Sequence, residues 1–132
     1  MTTLHRHLTA WAYNNAWANH RLLGACARLS QADFVDKRVS FFPSLKATLN
    51  HNLTVDWYYV DAVERCIAGK PPNPEFMKFY EPEEPFDRCE DLWREQRAVD
   101  RRLVDACEAM GEADMERMVR VPRRVGVLEE PM

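Results

Sequence analysis

Three stretches of the chain place apolar residues at a spacing that alternates between three and four. Each predicts an amphipathic helix. The first runs from about Thr3 to Leu29, with Leu4, Leu8, Trp11, Asn15, Ala18, Leu22 and Ala25 on a narrow seam. Tyr13, Trp17 and His20 form a second row. Asn15 is polar yet lies on the apolar seam, so it needs a hydrogen-bond partner. The second stretch, Leu45 to Ile67, contains no Gly and no Pro. Each helical residue turns the chain by about 100°, so Leu45, Leu49, Leu53, Val60, Val63 and Ile67 share one face. His51 projects to the opposite side, nearest Thr48, Val55, Tyr58, Ala62 and Cys66, so this helix has something to bury on two faces. Ser44 can cap its free N–H groups, and Pro43 before it and Gly69, Pro71 and Pro72 after it mark its ends. The third stretch runs from about Asp87, a plausible N-cap, to Met110, with Gly111 as its stop. Its seam is Cys89, Leu92, Trp93, Gln96, Val99, Leu103, Ala106 and Met110. The opposite face, with Arg94, Glu95, Arg97, Arg101, Arg102, Asp105 and Glu108, reads as solvated.

The connections differ in kind. Residues 30–43 read as a connection, with Ser30 and Asp33 as turn formers and three phenylalanine pegs, Phe34, Phe41 and Phe42. Lys70 to Asp87 holds five prolines and cannot continue a helix. Its aromatics, Phe76, Phe79, Tyr80 and Phe86, predict that this crossover packs down. After Gly111, the valines at 119, 121, 125 and 127, with Pro122 and Gly126, favour extended chain or a short hairpin. The expected fold is all-α: one domain over residues 1–132, a helical bundle with a long crossover. A fourth helix, from a longer parent or a second copy, would complete such a bundle.

Composition narrows the function classes. Hydrophobic residues make up 46% and charged residues 30% of the 132-residue chain, enough for a folded core. Net charge is −3 and the pI about 5.8, which argues against a general electrostatic nucleic-acid binder. No apolar run approaches the roughly 20 residues that span a bilayer, and the first residues lack the apolar core of a signal peptide. A cytoplasmic protein is the expectation. Cys26, Cys66, Cys89 and Cys107 form no CxxC pair and read as buried, reduced thiols.

No P-loop, GxGxxG, HExxH or GxSxG motif is present. The histidines are His5, His7, His20 and His51, and none has a His, Asp or Glu partner four residues on. His5 and His7 point apart on a helix. A mononuclear transition-metal site needs three or four donors, so from spacing alone His51 reads as an interior or interface residue rather than a ligand. Asp56 projects with the main apolar stripe. It reads as a partner for one of the arginines, with a buried ion pair or an acceptor behind a ligand as the alternatives. Asp61 is the other of the two carboxylates nearest His51 on this helix. Trp57, Tyr58 and Tyr59 read as packing residues whose phenols can still donate hydrogen bonds.

Three segments together resemble the DinB-like family (damage-inducible, DinB/YfiT type): Tyr13 to Leu23 (YNNAWANHRLL), Phe42 to Val63 (FPSLKATLNHNLTVDWYYVDAV) and Val119 to Met132 (VRVPRRVGVLEEPM). The resemblance spans essentially the whole chain. It implies an antiparallel four-helix bundle, a homodimer, and one divalent metal, nickel or zinc, held by three histidines. The matching ligand position here is His51, which reverses the reading from spacing. The family's other two ligands form a His-x3-His pair on a fourth helix that would follow Met132, and no residue of this sequence matches them. The resemblance therefore implies a chain that lacks the family's fourth helix, with its metal site weak or empty. Some family members resemble transferases or isomerases that use a low-molecular-weight thiol, whose thiolate a metal would activate; hydrolysis by metal-bound water is the neighbouring chemistry. A dimeric, stress-induced module without catalysis and an inactive fragment of the enzyme are the alternatives. The acidic composition lends no support to direct DNA binding, whatever the family's name.

Overall fold

The computed structural model describes residues 1–132. Three long helices dominate: α1 (Thr3–Cys26), α3 (Leu45–Ile67) and α4 (Cys89–Ala109). Two short helices, α2 (Gln31–Val35) and α5 (Glu112–Met115), sit in the connections. An antiparallel hairpin of β1 (Met118–Arg123) and β2 (Gly126–Pro131) closes the chain, so the mostly helical fold carries one small sheet. No helix is long and apolar enough to cross a membrane.

The central helix spans the residues its pattern predicts. The Ser44 hydroxyl accepts from the Ala47 N–H at 2.9 Å and satisfies one of the helix's free donors. At its far end Gly69 takes a positive φ of 67°, which a residue without Cβ adopts at little cost. The start of α4 differs from expectation. Arg88, not Asp87, holds the N-cap position. The Asp87 carboxylate is instead drawn back to α3, where it lies 2.7 Å from the Lys46 ammonium, which holds its pKa below the usual range.

Helix α4 is the axis of the bundle. Helices α1 and α3 both pack on it and scarcely touch each other, so an open groove runs between them. One core cluster joins Leu23, Phe34, Leu49, Leu53, Leu92 and Val99; a second, nearer the chain ends, joins Ala12, Val104, Cys107 and Met110. Arg102 ties α4 to α3 by two hydrogen bonds to Glu64, at 3.0 and 2.7 Å.

The seam of α1 is rotated by about one residue, roughly 100°, from the predicted one. Ala12, Leu23 and Cys26 are buried, whereas Leu4, Trp11 and Leu22 are 52%, 73% and 47% exposed. Two features account for the rotation. Helix α4 approaches closely at small residues: a Cβ on Gly24 would lie 3.4 Å from the Trp93 ring. Asn15 and Asn19 also turn inward to reach a buried carboxylate of α4. A strip of Leu, Trp and Leu is left uncovered beside the groove.

The hairpin packs on α3 rather than extending away. Val119 and Val121, on one face of β1, are buried against Tyr58 and Ala62. Gly126, with φ at 104°, closes the tight turn between the strands.

Candidate ligand cleft and polar groove at His51

On α3 the side chains of Ala47, His51, Thr54 and Tyr58 recur at three- and four-residue steps and face the same way. They form one wall of a cleft of about 630 Å³. The crossover supplies Phe76, Met77 and Tyr80 with Glu83 and Glu84, the loop before α3 supplies Phe42 and Pro43, and the hairpin turn supplies Pro122, Arg123 and Arg124. His51 stands at the edge. Its imidazole is solvent-accessible and lies against Phe42, with ring centroids 4.3 Å apart and planes inclined by 31°. The phenylalanine read as a loop peg thus props the histidine.

The tyrosines behave as packing residues with working phenols. The buried Tyr58 donates its hydroxyl proton to the Pro122 carbonyl and receives a hydrogen bond from Arg123. The Arg123 guanidinium lies 5.5 Å from the Tyr58 ring centroid and 6.0 Å from that of Tyr59, and donates to Glu130 at 3.0 Å. That arrangement clamps the hairpin turn onto α3. Burial, and then the neighbouring Tyr59, push the Tyr80 phenol up to about 12, so it stays a proton donor at neutral pH.

On its other side His51 borders the α1/α3 groove, with Asn15, Asn19, Asn52, Val55 and Asp56. Asp56 lines it, and a second carboxylate, Asp100 of α4, is buried behind the two asparagines. Gln96 Nε2 donates to Asp56 at 2.7 Å and to Asp100 at 3.0 Å. Asn15 donates to Asp100 at 3.1 Å, and Asn19 to both of its oxygens at 3.1 Å. Asn15 on the predicted seam therefore finds its partner. Asp56 does not meet an arginine, as its sequence position suggested; its partner is the neutral amide of Gln96. No cation pairs with either acid, and burial raises both pKa values. For Asp56 the hydrogen bond from Gln96 works against that rise and the charge of Asp100 adds to it. For Asp100, the bonds from Gln96, Asn19 and Asn15 oppose it. Asp61, the other aspartate of α3, pairs with Arg65 at 3.0 Å.

The remaining histidines are elsewhere. His5 Nε2 hydrogen-bonds the Cys107 carbonyl at 2.8 Å, His7 is exposed, and His20 lies against Trp93 with ring centroids 5.2 Å apart. All four cysteines are free; Cys26, Cys89 and Cys107 are buried and Cys66 is half-buried. Burial raises the pKa of the three buried thiols, that of Cys89 to about 11. No group of three or more His, Cys, Asp or Glu is placed to hold a metal ion. A three-histidine centre does not fit the residues of this chain, which bring one imidazole to the place.

A helical bundle centred on α4, with a histidine of its second long helix opening on a cleft, is the class of protein that this arrangement defines. The chain belongs to the DinB family, whose profile matches residues 2–126. Neither a curated protein nor a solved structure matches it.

Sequence reasoning passed over Asn19, Asn50, Asp100 and Arg123. Asp100 directly follows Val99 on the seam of α4 and counts as polar, so periodicity assigns it to neither face. Asn19 lies four residues after Asn15, and that spacing was a usable sign of a paired amide site.

Proposed function

We propose that this chain presents His51 as one ligand of a divalent metal, nickel or zinc, with the other donors coming from outside its three long helices. The observation that carries this reading is the position of His51, accessible and propped by Phe42, where the cleft meets the open groove between α1 and α3. A fourth helix, from a longer parent or a second copy of the chain, would lie in that groove beside it. One imidazole alone binds such ions weakly. The chain by itself then acts as a metal-responsive binding module, and as a homodimer through the apolar strip that α1 leaves uncovered. Titration of the purified chain with Ni²⁺ or Zn²⁺ tests this. Weak binding that His51→Ala abolishes is the expected outcome; equal metal per chain in wild type and mutant overturns the assignment.

A second reading, a metal-dependent thiol S-transferase or hydrolase, draws on the cleft itself. Its volume of about 630 Å³ lies in the range of small-molecule sites. Thiol-dependent turnover of electrophiles by the metal-supplemented protein would favour it. Absence of turnover across a broad panel leaves the module, or an inactive fragment of the enzyme.

A further inference from the structure

We propose that the cleft beside His51 binds a zwitterionic ligand with an apolar or aromatic body, of the class of amino acids and short peptides. The inference goes beyond the metal reading and does not require a metal.

It starts from the charges on the two rims. The crossover carries Glu83 and Glu84, and the hairpin turn carries Arg123 and Arg124. Within each pair, one residue is already engaged. Glu84 lies 3.7 Å from Lys46, and Arg123 is bound to Glu130 and the two tyrosines. Glu83 and Arg124 make no ion pair or hydrogen bond within the chain, and both line the cleft. One free carboxylate and one free guanidinium thus stand on two different elements that line the same cavity. The guanidinium suits a ligand carboxylate, which it can hold by two parallel hydrogen bonds. The acid suits an ammonium. Between the rims the surface is apolar and aromatic, from Phe42, Phe76, Met77 and Tyr80. The Tyr58 and Tyr80 rings lie 5.4 Å apart and those of Tyr58 and Phe76 6.1 Å apart, so this wall is pre-formed by ring packing. A ligand with both charges and an apolar middle satisfies all three regions. A simple anion leaves Glu83 facing like charge, and a simple cation leaves Arg124 so.

The tripeptide glycyl-phenylalanyl-glycine is a suitable probe, titrated into the ¹⁵N-labelled chain beside its N-acetylated and C-amidated forms. The free peptide should shift amides of the crossover and the hairpin turn and bind about tenfold more tightly than either blocked form, roughly the worth of one charge-assisted hydrogen bond. Glu83→Gln should erase the difference between free and acetylated peptide, and Arg124→Gln that between free and amidated peptide. Both residues are exposed, so unchanged thermal melts verify that the variants fold. Equal affinity of the three forms, shifts confined to other surfaces, or no saturable shift up to about 10 mM overturns the proposal. Failure of His51 to bind metal leaves these outcomes unchanged, and neither rim substitution should alter metal binding, so the two readings fail separately.

Discussion

Asn50 and Phe86 are joined by a reciprocal pair of hydrogen bonds. The Asn50 side-chain amide donates to the Phe86 carbonyl at 2.8 Å, and the Phe86 N–H donates to the Asn50 oxygen at 3.0 Å. The asparagine is fully buried and its amide also reaches the Lys46 carbonyl at 2.9 Å. One side chain of α3 thus imitates a strand partner for the end of the crossover and holds in place the segment that forms one side of the cleft. Asn50→Ala leaves the Phe86 N–H and carbonyl without partners, at a cost of about 2–4 kcal/mol. Chemical denaturation should show that loss, with faster exchange of the Phe86 amide proton. A loss below about 0.5 kcal/mol would mean that water replaces the asparagine and that the crossover is held by its aromatics alone.

The Asp56–Gln96–Asp100 chain sets a pH dependence of stability whose sign can be stated. Burial raises both carboxyl pKa values in the folded state. The folded protein then holds protons that the unfolded chain has released, and stability falls as pH rises from the ordinary carboxyl range through the raised values. Both acids are desolvated and bonded only to amides. Asp56→Asn keeps an oxygen for Gln96 and removes one of the two charges. It should raise Tm at pH 7 by about 3 °C, and by less as the pH falls toward the ordinary carboxyl range. A lower Tm at pH 7 would show that the charge of Asp56 is compensated.

How far the sequence discloses this arrangement depends on how many forces act on an element. Helix α3 could be read to the residue because one signal governs it: an uninterrupted apolar stripe between Ser44 and Gly69. The crossover was legible from its prolines and the hairpin from its valines, since both are backbone effects local to the segment. The face of α1 was not. Trp11 and Leu22 outweigh Ala12 and Ala16 on any hydrophobicity count, but close approach to α4 favours the small residues, and Asp100 draws the asparagines inward. Long-range polar partners of this kind leave no periodic trace. For the cleft, periodicity put His51 and Tyr58 on a second face of α3 but set Thr48 and Val55 beside them where the wall has Ala47 and Thr54, and resemblance picked out His51. Glu83 and Arg124 could not be paired, because nothing local relates the crossover to a turn some forty residues on.

The uncovered strip on α1 predicts the oligomeric state. Leu4, Trp11 and Leu22 are each about half exposed or more and follow one line along the helix beside the groove. An exposed tryptophan flanked by leucines is a common centre of protein interfaces, where its truncation typically costs 2 kcal/mol or more, about a thirtyfold loss of affinity. The wild-type chain should sediment as a dimer at about 50 µM, and Trp11→Glu should shift it to monomer, given a micromolar dissociation constant. Trp11 lies outside the core clusters, so the variant should keep its helical circular dichroism. Substituting Tyr13, which lies off the strip and hydrogen-bonds Glu108, should leave the dimer intact. A monomeric wild type at that concentration, or a Trp11→Glu variant that remains dimeric, assigns the strip to some other contact and removes the support it gives to a homodimer.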